Sequence, residues 1–404
     1  MSNAEITSRT IAIGKQAALG TLALTNSGKY QNFRPDTSGG LTKESFESDS
    51  VRRDAQYGNP RHGLRQVGFN LSQELQIGGH NDLLAGLLRA AWAAAGTITG
   101  TTIAVNAATR TITDSGNGFV TAGFKVGDIV RFLTAGSGAT ENEGVNLRLL
   151  TVAAGSMTYA ADPWTSGMVD DAAGDNVTLA VPGKKLQIPS SAHTKDYFTI
   201  ADDHADVDQH SVYQDCIVNS AAFDIAPGAH ANVTFAMLGL DADLDGADDY
   251  FTTPTAAPTG ALLAGPEGKI RYGSADSAVM TQLSLTVDNQ GEVKAVIGAN
   301  VSPDVFRNGV RVSGSMGALF DGGAVLQNFD DETEAALFIY LFADSTPGSE
   351  FLIIKLPNAK INSADKGTDG PAVTLSGDFS AGKYVGASTV IEATTIAICD
   401  STVA

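Results

Sequence analysis

What the chain has little of narrows the field first. Of its 404 residues only two are cysteine, Cys216 and Cys399, each inside an apolar β-like run. Two such thiols make neither a disulfide framework nor a zinc spacing, and they read as buried and reduced. Charged residues are 18% of the chain, and 26 bases face 45 acids, for a formal net charge of −19. Without a basic surplus, ordinary nucleic-acid binding is excluded, because it relies on Lys and Arg to neutralise phosphates, and so is attachment to anionic membranes. The most apolar helical stretch, NDLLAGLLRAAWAAAG, is too short to span a bilayer and contains Arg89. The N-terminal segment has no basic region followed by an apolar core, so no secretory signal is expected. Catalytic signatures are missing too: there is no Gly-x-Ser-x-Gly elbow, no phosphate-binding GxxxxGK followed by Ser or Thr (GDFSAGK at 377–383 runs on into Tyr384), no HExxH and no Gly-rich dinucleotide loop. The expectation is a protein that is not an enzyme.

What is present points to sheets. Hydrophobic residues make up 43%, enough for packed cores, and 44 glycines accompany abundant Ala, Thr, Ser and Val. That profile suits β-sheets with many turns. The length exceeds what one core usually supports, so two or three domains are expected.

The chain divides by pattern. Residues 26–62 are polar and read as a long loop. Alternating Leu64, Val67, Phe69, Leu71 and Leu75 signal a strand over 64–77. Leu83, Leu84, Leu87, Leu88 and Trp92 fall on one face of a helix over 80–95, with Asn81 and Asp82 as capping residues and Gly96 as its stop. From 97 to 183 short β-like runs alternate with Gly, Asp and Asn turns, which reads as an inserted small β-barrel-like domain. Its ends interrupt a helix-to-strand connection, so it is expected to face outward. Longer strands return over 184–251, TTPTAAPTGA at 252–261 reads as a linker, and 262–404 forms a last section with a short helix around DDETEAALFIYLF.

A phrase recurs across this layout. RHGLRQVG at 61–68 is echoed by RNGVRVSG at 307–314. Around the two phrases, ANVTFAMLG (231–239) compares with AVTLSGDFSA (372–381), and DYFTIADD with EFLIIKLPN. The fold class expected is therefore mainly β: two tandem β-sandwich or barrel units, each with a flanking helix. The first is discontinuous, 1–96 with 184–251; the second is 262–404.

Two acidic segments could carry chemistry. In DADLDGADDYFT, Asp241, Asp243, Asp245 and Asp249 match ligand positions of a calcium loop, with Gly246 at the sharp turn. Position twelve is Thr252 rather than Glu, which favours a solvated acidic turn. In DDHADVDQH, His204, Asp206, Asp208 and His210 would share one strand face, but at nearly 7 Å per step they are too far apart to surround one ion. No resident cofactor is expected beyond that calcium candidate. The run ESDSVRRDAQYGNPRHGLR mixes arginines with acids, so Arg52, Arg53, Arg61 and Arg65, with Arg307 and Arg311 in the echo, are candidates for contacts between subunits.

These segments carry a resemblance. ESDSVRRDAQYGNPRHGLRQVGFNLSQEL with the DLLAGLLRAAW helix, SVYQDCIVNSAAFDIAPGAHANVTFAMLGLD, RNGVRVSGSMGALF and GPAVTLSGDFSA together resemble the tail tube (major tail) proteins of long-tailed, non-contractile bacteriophages. The resemblance implies β-sandwich subunits whose inner sheets join around a ring, with rings stacked into a tube through which double-stranded DNA passes. It implies partners as well: further copies of the chain, a tape-measure protein, and tail terminator or baseplate proteins. The protein would be assembled in the host cytoplasm and reside in the virion. A duplicated chain would form the pseudo-sixfold ring as a trimer. An acidic lumen would repel phosphates and keep DNA from adhering, and the 26–62 loop would join ring to ring. The alternative class is a secreted or surface calcium-binding β-rich adhesin, which would account for the acidity and for DADLDGADD.

Overall fold

Alternating apolar residues build the long strands, and polar turns separate them. A computed structural model describes residues 3–277, 279–322 and 324–403. The strands of four residues or more begin with β1 (Arg9–Lys15), β2 (Ser38–Phe46) and β3 (Arg61–Glu74), followed by helix α1 (Asn81–Leu88). Next come β4 (Thr97–Gly100), β5 (Ile103–Asn106), β6 (Thr111–Asp114), β7 (Ile129–Thr134), β8 (Leu147–Val152), β9 (Ser156–Tyr159) and β10 (Val177–Ala180). After them run β11 (Lys184–Gln187), β12 (Phe198–His204), β13 (Gln209–Ile225), β14 (Asn232–Gly239) and β15 (Asp241–Gly246). The remainder holds β16 (Gly268–Tyr272), β17 (Met280–Asp288), β18 (Arg311–Leu319), α2 (Ala324–Asp330), β19 (Glu334–Phe342), β20 (Phe351–Ile361), β21 (Asp365–Asp369), β22 (Ala372–Ala381) and β23 (Ala397–Asp400).

The strand pairing repeats along the chain. In the first half β1 pairs β12, β12 pairs β13, β13 pairs both β14 and β15, β14 pairs β3, and β3 pairs β2. In the second half β16 pairs β19, β19 pairs β20, β20 pairs both β22 and β23, β22 pairs β18, and β18 pairs β17. Every pairing is antiparallel and each has its counterpart. The halves meet where β13 pairs β17 and again where β11 pairs β23. One sheet thus runs through eight strands in the order β2–β3–β14–β13–β17–β18–β22–β21. Its inner face carries Val67, Phe69, Phe223, Phe235, Leu285 and Phe379 into the main core. Its other face is hydroxyl-rich, with Ser72 bonded to Thr234 at 2.9 Å and Ser284 to Ser315 at 2.8 Å.

The strands of 97–180 form a separate seven-stranded sheet in the order β4–β10–β7–β8–β9–β6–β5. It packs on the second half of the chain. Phe119, Phe124, Phe132 and Leu147 share a core with Phe338, Tyr340 and Phe342 of β19, Phe351 and Ile353 of β20, and Cys399 of β23. The alternate residues Leu337, Ile339, Leu341, Leu352 and Ile354 point into the main core. Gly127 makes the close approach possible: it has φ of +81°, and an added Cβ would lie 2.4 Å from the Phe338 ring.

Buried ions reinforce this seam. Asp128 is fully buried and accepts from Lys185 and Lys355, and Lys185 also reaches Glu392 at 2.9 Å. Nearby, Arg148 bonds Asp162 at 2.7 Å and Asp276 at 2.6 Å. Burial opposes the charge on Asp128, but the two lysines outweigh it and hold its pKa below the usual value.

Several local expectations are revised. DDETEAALFIYLF is not helical: α2 lies earlier, and EAALFIYLF is strand β19. A strand buried on both faces reads as a continuous apolar run, which periodicity cannot separate from a helix. Helix α1 stops at Arg89, in the left-handed region at φ of 56°, rather than at Gly96. There the Arg89 guanidinium donates to Asn289 Oδ1 at 2.8 Å and to Asn308 O at 2.6 Å. The 26–62 segment is not one loop: it contains β2, and the irregular hairpin tip spans 47–60. TTPTAAPTGA is pinned to the first half, where Thr255 N donates to Gly28 O and Asn32 donates to Pro258 O.

The repeat also has a different register from the matched phrases. In pairing order DYFTIADD corresponds to EAALFIYLF, not to EFLIIKLPN. The two arginine-led phrases fall at β3 and β18, but residues 307–310 precede β18. Inward residues are odd-numbered in β3 (Val67, Phe69, Leu71) and even-numbered in β18 (Val312, Met316). An offset of 246 would therefore turn every side chain to the wrong face.

Candidate assembly edges and an acidic histidine cluster

The eight-strand sheet ends in two open edges. β2 is largely exposed, and all five residues of β21 are exposed. An unpaired edge presents a row of N–H and C=O groups that another chain can satisfy. Neither strand announces itself in sequence, because SGGLTKESF and DKGTD lack an apolar alternation. Their pairing to β3 and β22 holds them extended.

The β13–β17 junction shows how one such edge meets another. It runs in register from Ser220↔Asp288 through Phe223↔Leu285 to Ile225↔Leu283, with Phe223 and Leu285 buried on the core face. On the opposite face lie small polar residues and carboxylates, among them Asp224 and the exposed Asp378, with Asp288 opposite Arg311. Large apolar groups are exposed on two excursions from this sheet: Val51 and Tyr57 on the β2–β3 hairpin, and Val296 and Ile297 between β17 and β18.

The arginine candidates separate into two groups. Arg52, Arg53 and Arg61 are exposed on the β2–β3 hairpin, where Arg52 lies 3.4 Å from Asp54. Arg311 is exposed at the start of β18. Arg65 and Arg307 are engaged inside the chain: Arg65 reaches Asp241 at 2.7 Å, and Arg307 donates to Thr194 O at 2.6 Å.

The calcium candidates do not converge. Asp241, Asp243 and Asp245 lie along β15, whose extended backbone spreads alternate residues to ~7 Å. Asp241 is paired to Arg65, while Asp243 and Asp245 are exposed. Asp249 alone meets other ligand-type groups, past the end of β15.

Those groups come from DDHADVDQH, which is a hairpin rather than one strand. The chain turns between β12 and β13, so Asp203 stands opposite His210, and His204 and Asp206 are not brought beside it. His210 Nδ1 lies 3.1 Å from Asp203 Oδ1 and 3.0 Å from Asp249 Oδ1, and its Nε2 lies 3.4 Å from Asp208 Oδ1. Burial disfavours the charged imidazole, but hydrogen bonds to Asp203 and Asp208 and the adjacent charges outweigh it and raise the pKa. Burial raises the Asp203 pKa as well, partly offset by the His210 contact. Asp203 was not among the residues picked from sequence; the signal that finds it is the hairpin register, which period-two spacing conceals.

A repeated antiparallel sheet with two open edges and a helix beside each half defines a mainly β chain whose edges can accept a further strand. The chain matches the family of phage tail tube proteins over residues 7–381 and belongs to it. It is thus a structural component of the virion tail. No curated protein matches it.

Proposed function

We propose that three copies close a ring of the tail tube, the two halves of each chain taking alternate places in a pseudo-sixfold arrangement. The carrying observation is the β13–β17 junction. By pairing order β17 is the counterpart of β2, and the C-terminal end of β20 with β21 stands where the C-terminal end of β13 stands in the first half. The contact between halves inside one chain is therefore a template for the contact from β21 of one chain to β2 of the next. Three copies of an eight-strand sheet would close a barrel of about 24 strands and leave no edge exposed. In this reading residues 1–96 with 184–251 form one tube unit and 262–404 the other, while the 97–183 sheet faces outward.

The hydroxyl-rich face opposite the core would then line the conduit for DNA. Side chains such as Ser284 and Ser315 bond to each other, and Asp224 and Asp378 repel phosphates, which suits a wall that DNA must pass without adhering. The exposed apolar tips at Val51, Tyr57, Val296 and Ile297 would stack ring on ring. Tape-measure and terminator proteins would meet the resulting tube at its lumen and ends.

The test is to block one edge. Proline at Lys43 or Thr368 removes an edge donor while each core stays intact. Either variant should stay folded by circular dichroism yet form no tubes by electron microscopy. Normal tubes from the double variant would overturn the edge-to-edge closure.

A further inference from the structure

The face of the first half turned away from the main core carries an acidic cluster around a buried histidine. His210 is buried, and three carboxylates surround its ring: Asp203 and Asp249 at Nδ1, and Asp208 at Nε2. A neutral imidazole has one N–H and one lone pair. With Nε2–H donating to Asp208, the Nδ1 lone pair faces two carboxylate oxygens at 3.1 and 3.0 Å, an arrangement that a cation between them would satisfy. A proton on Nδ1 supplies only one positive charge against three carboxylates. Arg9 on the neighbouring strand β1 is bidentate on Asp202 at 2.7 and 2.8 Å.

We propose that Asp203, His210 and Asp249 form a binding site for a divalent transition-metal ion of the zinc class, with Asp208 orienting the imidazole from behind. The three ligand atoms lie within 4.8 Å of one another, a span that one ion at ~2.0–2.2 Å from each can draw together. A carboxylate on the far nitrogen of a ligating histidine is the usual outer support, fixing the tautomer that leaves the other nitrogen free to bind. One imidazole with two carboxylates suits Zn²⁺ or Mn²⁺; Ca²⁺ prefers six to eight oxygens. Asp203 is buried while the Asp249 side chain is 63% exposed, so the site opens to solvent on one side and water completes the shell.

The ion would fasten the segment after β15 to the β12–β13 hairpin. That segment carries Phe251, which packs with Ala12, Ala23 and Ala201, and Tyr250, which rests against them. The metal would thus hold down the covering of the first half where the second half has a whole sheet.

The full chain, stripped with EDTA, would be titrated with ZnCl₂ by calorimetry and melted with and without it. The expected result is one Zn²⁺ per chain and a raised melting temperature. Asp249→Ala, at an exposed position that leaves the fold intact, should abolish both. Asp208→Asn should weaken binding about 10-fold or more. Binding to the buried thiols does not compete, since Cys216 and Cys399 are both enclosed. The proposal is overturned if the wild type takes up no zinc, if Asp249→Ala keeps the bound equivalent, or if CaCl₂ binds more tightly than ZnCl₂.

Discussion

The two halves of the chain share a pairing order and differ in what covers them. In the second half the outer face of β19–β20–β23 is aromatic and aliphatic, and the 97–183 sheet lies on it. In the first half the matching face of β12–β13–β15 carries Thr199, Ala201 and Asp203, with only a small cluster around Phe251 above it. The helices differ in the opposite sense. α1 buries Leu83, Leu84, Leu87 and Leu88, whereas α2 leaves Leu326 half-buried and Phe329 exposed. One backbone plan therefore tolerates two chemistries, because backbone pairing sets the strand order while the side chains answer to whatever lies above each face. That is why identity between the halves is so low.

The comparison can be broken most severely at the seam. Asp128→Ala leaves Lys185 and Lys355 buried without their shared partner and should cost about 3–5 kcal/mol by urea denaturation. Asp203→Ala, on the matching face of the first half, should cost far less in metal-free protein, since burial already disfavours that charge. The Asp128 contribution should also depend on pH. Its folded pKa is depressed, so the stabilisation is present above the unfolded value, about 3.9, and is lost as pH falls below it through the folded value. Denaturation midpoints at pH 7 and pH 3 should show that loss in the wild type and much less of it in Asp128→Ala.

Large-to-small changes sharpen the contrast further. Phe351→Ala should cost about 3–5 kcal/mol, because its ring is fully buried against Phe342. In the helices, Leu87→Ala should cost about 2–5 kcal/mol and Leu326→Ala about 1 kcal/mol, in line with their burial. The smallest effect belongs to Arg65→Ala. Its pair with Asp241 is partly exposed, and about 0.5 kcal/mol is expected, measured by the same denaturation.

How much of this was legible in the sequence follows from the same physics. β3, with Val67, Phe69 and Leu71 alternating, is half-buried, and periodicity reveals it; α1 is buried nearly all round, and its leucine-rich run with polar Asn81 and Asp82 ahead of it reveals it. The separate sheet formed by strands β4 to β10 coincides with a change from long to short runs in the sequence. β19 was hidden because both its faces are buried, and β2 and β21 because neither face needs apolar residues in a single chain. The acidic cluster was half visible. Its residues stand out, but a hairpin register and a loop after β15 bring Asp203, His210 and Asp249 together, and neither has a local signal. Strand edges and cross-strand clusters are tertiary facts, set by register rather than by local pattern.

The central claim is that the two halves occupy equivalent places in one closed sheet. Mass per length of assembled tubes, taken with the ring repeat from the same electron micrographs, tests it most directly. Three chains per ring layer is the predicted result. Six chains per layer would contradict it, because each chain would then supply one position to the ring instead of two.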